Sequence, residues 1–225
     1  MRAADSWLVE DGRVRGWELH WARFGVAAGV DVAALEAEVR AELPREGRWF
    51  PRVECDDDGA LSWRLRPAPE RLPAVACRAV AVLDFRVAPR VKGPDLERLV
   101  ALRGTGEVLL AGEDGRILEG CLTSLLWWVD HALYVVDDDE PILDGVTRRL
   151  LIGLAVAEGI EVVRARPVLE DLYDREVWLT SALHGIRALT SWVPDGPPAG
   201  QAERAAGWQL RLEALAEDLG PEPKL

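Results

Sequence analysis

The sequence predicts an α+β fold of two lobes, with a small amino-terminal α+β lobe over residues 1–88 and a larger β-rich lobe over residues 89–225. Short strand patterns dominate the second lobe, and its one long helix follows a glycine turn. Strands and helices therefore do not alternate strictly, as they would in a doubly wound parallel sheet. Prolines mark the passage between the lobes, at Pro67, Pro69, Pro73, Pro89 and Pro94.

The small lobe begins with a strand and a helix and continues with a hairpin. Asp31 has the chemistry of a helix cap, and the Asp-Asp-Asp-Gly sequence that ends at Gly59 is typical of a hairpin turn. The predicted elements are a strand at 7–9, a helix at 31–43, hairpin strands at 48–55 and 60–66, and an apolar strand at 77–87.

The larger lobe contains short strands and the long amphipathic helix that follows Gly145. Its predicted strands lie at 107–111, 117–119, 161–164, 176–181 and 186–192, with a hairpin of 123–129 and 132–136. Its predicted helices run through Leu102, over 146–158 and over 201–219, with a helical turn at 169–173.

Composition argues against several classes of function. The net charge of −12 and the pI near 4.8 oppose a nucleic-acid or anionic-membrane partner, which would require a basic face. No segment is apolar enough to span a membrane, and the start lacks a signal pattern, so we expect a cytoplasmic protein. Cys55, Cys77 and Cys121 lie far apart, and the histidines have no metal-ligand spacing. We therefore predict buried, reduced cysteines and no metal.

Lysine is rare in this chain, because only Lys92 and Lys224 are lysines among the 27 basic residues. Arginine serves at least as well where a fixed charge is enough. An imine with an aldehyde, or a proton shuttle, needs an amine that can lose its proton. Lys92 is therefore a candidate for Schiff-base chemistry with an aldehyde cofactor. The alternative is that an arginine-rich composition leaves a few lysines by chance.

Pyridoxal phosphate would need an anion site for its phosphate, an acidic partner for its ring nitrogen and a dry pocket. Gly145, Val146 and Thr147 lie where a turn becomes a helix, so their N–H groups and the threonine hydroxyl are candidates for the phosphate. Arg23 is either a clamp on the same phosphate or an ordinary surface arginine. Glu119 ends a strand among apolar residues, so it needs a partner, which is either the ring nitrogen or an arginine.

Four motifs follow one another along the chain. They are His20-Trp21-Ala22-Arg23-Phe24, Lys92 after a strand, Gly115-Arg116-Ile117-Leu118-Glu119-Gly120, and Leu143-Asp144-Gly145-Val146-Thr147-Arg148. In this order they resemble the class IV aminotransferases, the fold-type-IV pyridoxal-phosphate enzymes that include branched-chain and D-amino-acid aminotransferases and aminodeoxychorismate lyases. The resemblance covers residues 11–189 and implies the two-lobed fold of that family. It implies that Arg23 and the Gly145 turn bind phosphate, that Lys92 holds the cofactor and that Glu119 pairs with the pyridine nitrogen.

The departures from the family pattern bear on the reaction. Most of the amino-terminal Tyr-Gly-Asp-Gly-x-Phe-Glu segment is missing, and the interval from Lys92 to Glu119 is several residues shorter than usual. The segment Ser181-Ala182-Leu183 is closer to the Asn-Ala-Leu or Asn-Ser-Leu of the lyases than to the Ser-Gly-Thr-Ala of the aminotransferases. By this resemblance Ser181 and Ala182 are cofactor contacts.

The resemblance implies that an amino group moves between an amino acid and a 2-oxo acid through Lys92. Two alternatives stay open: a lyase-type elimination that gives 4-aminobenzoate and pyruvate, and a cofactor-binding protein with little or no catalysis. Trp127, His184 and Arg187 are candidates for the substrate pocket. Trp127 and Trp128 are strand neighbours, so at most one of them faces it. The family also implies a homodimer.

Overall fold

The computed structural model describes residues 1–220 of the chain. The first helix, α1 (Trp17–Ala28), buries side chains three or four residues apart, including Trp17, Trp21 and Phe24, so one of its faces packs on the small lobe. No helix within residues 1–220 is long and apolar enough to cross a membrane. The helices are α1 (Trp17–Ala28), α2 (Ala33–Glu42), α3 (Leu96–Arg103), α4 (Val146–Ala157) and α5 (Ala205–Ala214), and a 3-10 turn covers Leu169–Leu172.

Two small sheets form the first lobe. Their strands are β1 (Ala3–Ser6), β2 (Val9–Glu10), β3 (Arg13–Arg15), β4 (Arg48–Trp49), β5 (Arg52–Cys55), β6 (Leu61–Arg64) and, from the far end of the chain, β16 (Ala216–Asp218). One sheet has the order β1-β5-β6, and the other has the order β16-β3-β2-β4. The small lobe therefore contains a strand that is contributed by the last part of the chain.

A six-stranded sheet is the centre of the second lobe. Its order is β13-β12-β11-β14-β15-β7, and a separate sheet has the order β10-β9-β8. Successive side chains of a strand point to opposite faces, and both faces of the six-stranded sheet are covered by apolar clusters. The strands are β7 (Ala74–Arg78), β8 (Val82–Leu83), β9 (Leu109–Ala111), β10 (Ile117–Gly120), β11 (Ser124–Val129), β12 (Ala132–Val136), β13 (Val162–Ala165), β14 (Val177–Ser181) and β15 (Gly185–Val193).

Most of the predicted elements are present with shifted ends. Both hairpins are confirmed, because β5 pairs with β6 and β11 pairs with β12 in antiparallel register. Asp31 Oδ1 accepts the Ala33 N–H at 2.9 Å where α2 begins. Helix α1, which contains Arg23, was not predicted. The prediction of one strand over residues 77–87 is wrong, because bends divide it into β7 and β8. The closing helix is shorter than predicted and is followed by β16.

The strand pairing differs from the predicted division of the lobes at residue 88. Strand β7 pairs in parallel with β15, and β8 pairs in parallel with β9, so both belong to the sheets of the larger lobe. Strand β16 pairs with β3 and belongs to the small lobe. Pairing between strands far apart in sequence decides this assignment, and a local hydrophobic pattern does not reveal it.

Candidate functional site

Residues from both lobes and from the connection between them line a cavity of about 290 Å³. Most of the predicted site residues meet here although they come from distant parts of the chain. Those that line the cavity are Arg23, Lys92, Glu119, Gly145, Val146, Thr147, Ser181, Ala182, His184 and Arg187. A pocket with several converging polar groups and buried titratable residues is the usual form of a small-molecule site.

Lys92 lies in the wall of this cavity next to a buried carboxylate. Its Nζ atom is 3.2 Å from Asp5 Oδ1, and its side chain is 26 % exposed. Burial lowers the pKa of Lys92, although the charge of Asp5 opposes that effect. The amine is therefore easier to deprotonate than an ordinary surface lysine, as imine formation requires.

Gly93 allows the lysine segment to lie against β1. The Ala4 N–H donates to the Lys92 carbonyl at 2.7 Å. Gly93 has a φ of +144°, and a Cβ at this position would lie 3.0 Å from backbone atoms of Ala3 and Ala4. Both the conformation and the close contact favour glycine.

We expect Gly93→Ala to lower the free energy of unfolding by about 1–3 kcal/mol, because a strained φ is combined with a backbone clash. Gly104→Ala is the matched control, since Gly104 also has a positive φ but a methyl group added there would meet open space. Urea denaturation of both variants measures the difference. Equal losses for the two variants would show that the contact with β1 contributes nothing.

Asp5 organises the charges around Lys92, and the sequence analysis missed it. It is completely buried, and Arg23 Nη2 donates to its two oxygens at 2.7 and 2.6 Å. Burial alone would raise the pKa of Asp5, but Arg23, Lys92 and His20 together hold it well below its usual range. Arg23 Nη1 also donates to the Asp144 carbonyl at 2.9 Å, so this arginine joins Asp5 to the loop before α4.

His20 packs beside the same carboxylate and stays neutral. Its Nδ1 is 3.3 Å from Asp5 Oδ2, and its ring stacks at 5.3 Å from that of Trp7. Burial lowers the pKa of His20 from 6.5 to about 4, although Asp5 opposes the change. Because Arg23 already neutralises Asp5, His20 donates a hydrogen bond without needing a charge.

The lowered pKa of His20 predicts that the protein loses stability as the pH becomes acidic. In the unfolded chain His20 has a pKa of 6.5, whereas in the folded chain its pKa is about 4, so it is protonated only at a lower pH. Stability therefore falls as the pH drops through this window, by about 2 kcal/mol at pH 5. His20→Gln keeps a polar group of similar reach and removes the titration. Denaturation curves at pH 7 and pH 5 should show a smaller loss for the variant, and parallel losses would contradict the assignment.

Glu119 is buried between an arginine and the loop before α4. Its Oε1 accepts hydrogen bonds from Arg86 Nη1 and from the Leu143 N–H, the latter at 2.8 Å. Among residues 1–220, no donor is hydrogen-bonded to Oε2. Burial raises the pKa of Glu119 to about 7, against the opposing effects of Arg86 and Leu143. The sequence left open an arginine partner for this carboxylate, and the structure identifies it as Arg86, which also binds Asp84.

The amino terminus of α4 supplies an uncapped helix end to the cavity. Gly145 is extended before the first turn, and no side chain within the described range caps this helix. The first turn contains no acidic residue, and Thr147 is buried. A Cβ at Gly145 would lie 2.3 Å from Ser124 Oγ, so glycine allows the loop to approach β11. Free N–H groups and the positive end of the helix dipole favour an anion here.

The turn between β14 and β15 forms another part of the wall. Ser181 Oγ accepts the His184 N–H at 3.3 Å, and the Ala182 carbonyl accepts a hydrogen bond from Arg15 at 2.9 Å. Arg187 lies beneath the cavity, where its Nη2 is 2.8 Å from the buried Glu107 Oε2. Glu107 was not predicted, because its partner is 80 residues away in sequence.

Trp127 does not line the cavity, which corrects the expectation that it shapes the substrate pocket. It packs in one apolar cluster and stacks on Tyr134 at 5.6 Å, whereas Trp128 packs in the cluster on the other face of the sheet. Both faces of β11 are buried, so the alternation of side chains sends both tryptophans into the core.

The cysteines are buried and free, as predicted. Burial raises the pKa of Cys77 and of Cys121 to about 12, so these thiols stay protonated at neutral pH. Over the described part of the chain, no group of three or more His, Cys, Asp or Glu side chains is arranged to hold a metal ion.

Comparisons with known proteins support one family. The chain is 34 % identical over 102 residues to an aminodeoxychorismate lyase of Bacillus subtilis, a match that covers 44 % of this chain and 35 % of the relative. It is 30 % identical over 112 residues to the "Probable branched-chain-amino-acid aminotransferase" of Rickettsia bellii, which covers 50 % of this chain and again 35 % of the relative. Each match therefore spans about a third of the relative's length.

The fold is also similar to solved structures. A hypothetical aminotransferase from Mycobacterium tuberculosis, in its alpha-ketoglutarate and PMP bound form, matches with a TM-score of 0.81 over 95 % of this chain and 88 % of that one, at 19 % identity. At this identity the likeness establishes the fold alone. Residues 64–192, more than half of the sequence, match the family described as amino-transferase class IV. The chain belongs to the class IV aminotransferase family.

Proposed function

We propose that the protein is a pyridoxal-phosphate-dependent aminotransferase that moves an amino group between an amino acid and a 2-oxo acid. The observation that supports this most strongly is that Lys92, Glu119 and the uncapped start of α4 line one cavity. These are an amine, a buried carboxylate and an anion site, which are the three groups that the cofactor needs from a protein.

The residues present fit pyridoxal phosphate. Lys92 would hold its aldehyde carbon, and the N–H groups of Val146 and Thr147 would bind its phosphate. Glu119 would face the ring nitrogen through Oε2, the oxygen that Arg86 does not use. When bound, the cofactor supplies an electron-accepting ring that stabilises negative charge on the substrate α-carbon.

Lys92 would also act as the proton carrier. The Nζ amine of Lys92 would accept the α-proton of the substrate and return it at a different carbon. Asp5 lies 3.2 Å from Nζ and is also paired with Arg23, so it would hold the amine in position. Glu119 would keep a negative charge beside the ring nitrogen, and that charge would favour the protonated form of the nitrogen. Arg86 holds the Glu119 carboxylate in the orientation that this pairing requires.

The spectrum of the protein with added pyridoxal phosphate tests the proposal. We expect a visible absorbance band, and we expect borohydride to fix the cofactor on Lys92, as located by peptide mass mapping. The chain provides its own comparison, because Lys224 is the only other lysine. Labelling of Lys92 alone supports the proposal, whereas equal labelling of Lys92 and Lys224 would indicate non-specific attachment. Absence of any adduct would overturn the proposal.

A lyase reaction is the second candidate, and the 34 % identity to an aminodeoxychorismate lyase favours it. The segment Ser181-Ala182-Leu183, which forms part of the cavity wall, is compatible with it. The two reactions differ in whether a β-substituent leaves before the proton returns. Assays with several amino donors and 2-oxo acids, run beside assays for 4-aminobenzoate and pyruvate from aminodeoxychorismate, distinguish them.

We further propose a cytoplasmic homodimer. The dimer follows from the family resemblance, and the buried free cysteines are compatible with a reducing compartment. Light scattering at working concentration tests the assembly, and a monomeric mass would contradict it.

A further inference from the structure

We propose that Arg15 is a positioning residue for the cofactor, because it ties the small lobe to the turn between β14 and β15. This inference rests on the proposed function, since it assigns Arg15 a part in holding pyridoxal phosphate. Arg15 is the last residue of β3 and does not itself line the cavity. Its effect on a bound molecule would therefore pass through the turn, where Ser181 and Ala182 line the cavity.

The guanidinium group of Arg15 contacts this turn directly. Its Nη2 donates to the Ala182 carbonyl at 2.9 Å, across 167 residues of sequence. Ala182 also packs against the apolar core of the small lobe, although the strands on either side of the turn belong to the larger lobe. A hydrogen bond from a charged donor is stronger than one between neutral groups. Arg15 therefore fixes where Ala182 lies relative to the small lobe.

Other groups hold the far end of the turn. The Leu72 N–H donates to His184 Nδ1 at 3.1 Å, and the Ile186 N–H donates to Gln209 Oε1 at 2.8 Å. Within residues 1–220, Arg15 is the one side chain that is hydrogen-bonded to the backbone of Ala182. Loss of Arg15 should therefore release Ala182 and leave residues 184–186 anchored.

The stability of the fold does not explain why this arginine is buried. Arg15 is 8 % exposed, and in the described chain its Nη1 has no hydrogen-bond partner. The nearby carboxylates of Glu10 and Glu213 are ion-paired with Arg71 instead. Burial and the charge of Arg71 lower the pKa of Arg15 to about 10, against the opposing charges of Glu213 and Glu10. A buried charge without an ion pair reduces stability, so we assign the role of Arg15 to its contact with Ala182.

The residue after Arg15 touches the other part of the proposed phosphate site. A Cβ at Gly16 would lie 2.9 Å from Val146 Cγ1, so the small lobe packs closely against the first residue of α4. Arg15 and Gly16 therefore connect one end of β3 to the turn at Ala182 and to the start of α4. A phosphate held by both segments requires them in a fixed relative position, and the end of β3 supplies that connection.

Two substitutions of Arg15 and one control test this role. Arg15→Met removes the donor, and Arg15→Lys keeps a charged donor. Arg13→Met is the matched control, because Arg13 is an exposed residue of the same strand whose Nη2 also donates to a carbonyl, that of Ala216, at 2.6 Å. Absorbance titration should give an apparent dissociation constant for pyridoxal phosphate about tenfold higher in Arg15→Met than in wild type. Arg15→Lys should recover part of the loss, and Arg13→Met should bind the cofactor as wild type does.

Measurements on the cofactor-free proteins distinguish positioning from a structural role. The denaturant midpoint of Arg15→Met should equal or exceed that of wild type, because the variant no longer buries an unpaired charge. Hydrogen exchange of the backbone amides of residues 182–185 should be about fivefold or more faster in Arg15→Met and unchanged in Arg13→Met. Unchanged exchange at the turn would overturn the proposal, and so would weaker cofactor binding that only follows a loss of global stability.

The outcome is separable from that of the proposed function. A cofactor fixed on Lys92 with equal affinity in wild type and Arg15→Met would refute the role of Arg15 and leave the aminotransferase proposal standing. A wild type that does not bind pyridoxal phosphate would overturn the proposed function. In that case, faster exchange at the turn in Arg15→Met would still identify Arg15 as the anchor of Ala182.

Discussion

Lys92→Arg is expected to reduce amino transfer by about 10⁴-fold or more, because the variant loses both the covalent attachment and the proton carrier. Arginine keeps a positive charge beside Asp5, so the ion pair that surrounds the site can be retained. It cannot form a stable imine, and it does not lose its proton at neutral pH. Turnover assays and the absorbance spectrum measure the two losses separately.

The control for this variant is Lys224→Arg, which removes the other lysine of the chain. We expect it to retain the visible band and full turnover. Circular dichroism and denaturant midpoints should be similar for wild type and both variants. Substantial turnover in a folded Lys92→Arg protein would show that the reaction does not use this amine.

Glu119→Gln is expected to lower turnover by about 10²–10³-fold, because a neutral amide does not keep the ring nitrogen protonated. The amide has almost the same volume, and its oxygen can still accept from Arg86 and the Leu143 N–H. Arg86 also keeps its pair of bonds to Asp84, at 2.8 and 2.9 Å, so the fold should be preserved. Steady-state kinetics, together with the position of the absorbance band, give the measurement.

Although Glu119→Gln should lower turnover, it should raise the stability of the folded protein at high pH. In the cofactor-free protein the pKa of Glu119 is raised from 4.5 to about 7, so the folded state favours the protonated carboxyl. The stability that this group contributes is complete below pH 4.5 and is lost as the pH rises through 7. Glu119→Gln lacks this loss and should be more stable than wild type at pH 8, by about 1–3 kcal/mol. A variant that is both less active and less stable at pH 8 would argue for a structural role alone.

Sequence reasoning identified the parts of the site that belong to local patterns. Glu119 ends a strand, and Gly145 to Thr147 begin a helix, and both features are visible in a window of a few residues. The rarity of lysine drew attention to Lys92. The structure brings these residues to one cavity together with Arg23, although they are spread over more than a hundred positions.

The hydrogen-bond partners of those residues could not be predicted from local sequence patterns. Asp5 meets Lys92 across 87 residues, and Arg86 meets Glu119 across 33. Nothing near Asp5 in sequence distinguishes it from the other 38 acidic residues. The error for Trp127 arose because strand alternation shows that neighbours face opposite ways but not what covers each face.

The pairing of β16 with β3 has a consequence for synthesis on the ribosome. The ribosome makes Arg15 well before its strand partner Ala216, which follows 201 positions later in the sequence. The sheet of β16, β3, β2 and β4 can therefore be completed only after residues 216–218 have emerged. Until then, the edge of β3 that pairs with β16 has no strand partner. We therefore expect the two lobes to complete their folding together and late, because the first lobe lacks a strand until the end of the second has been made.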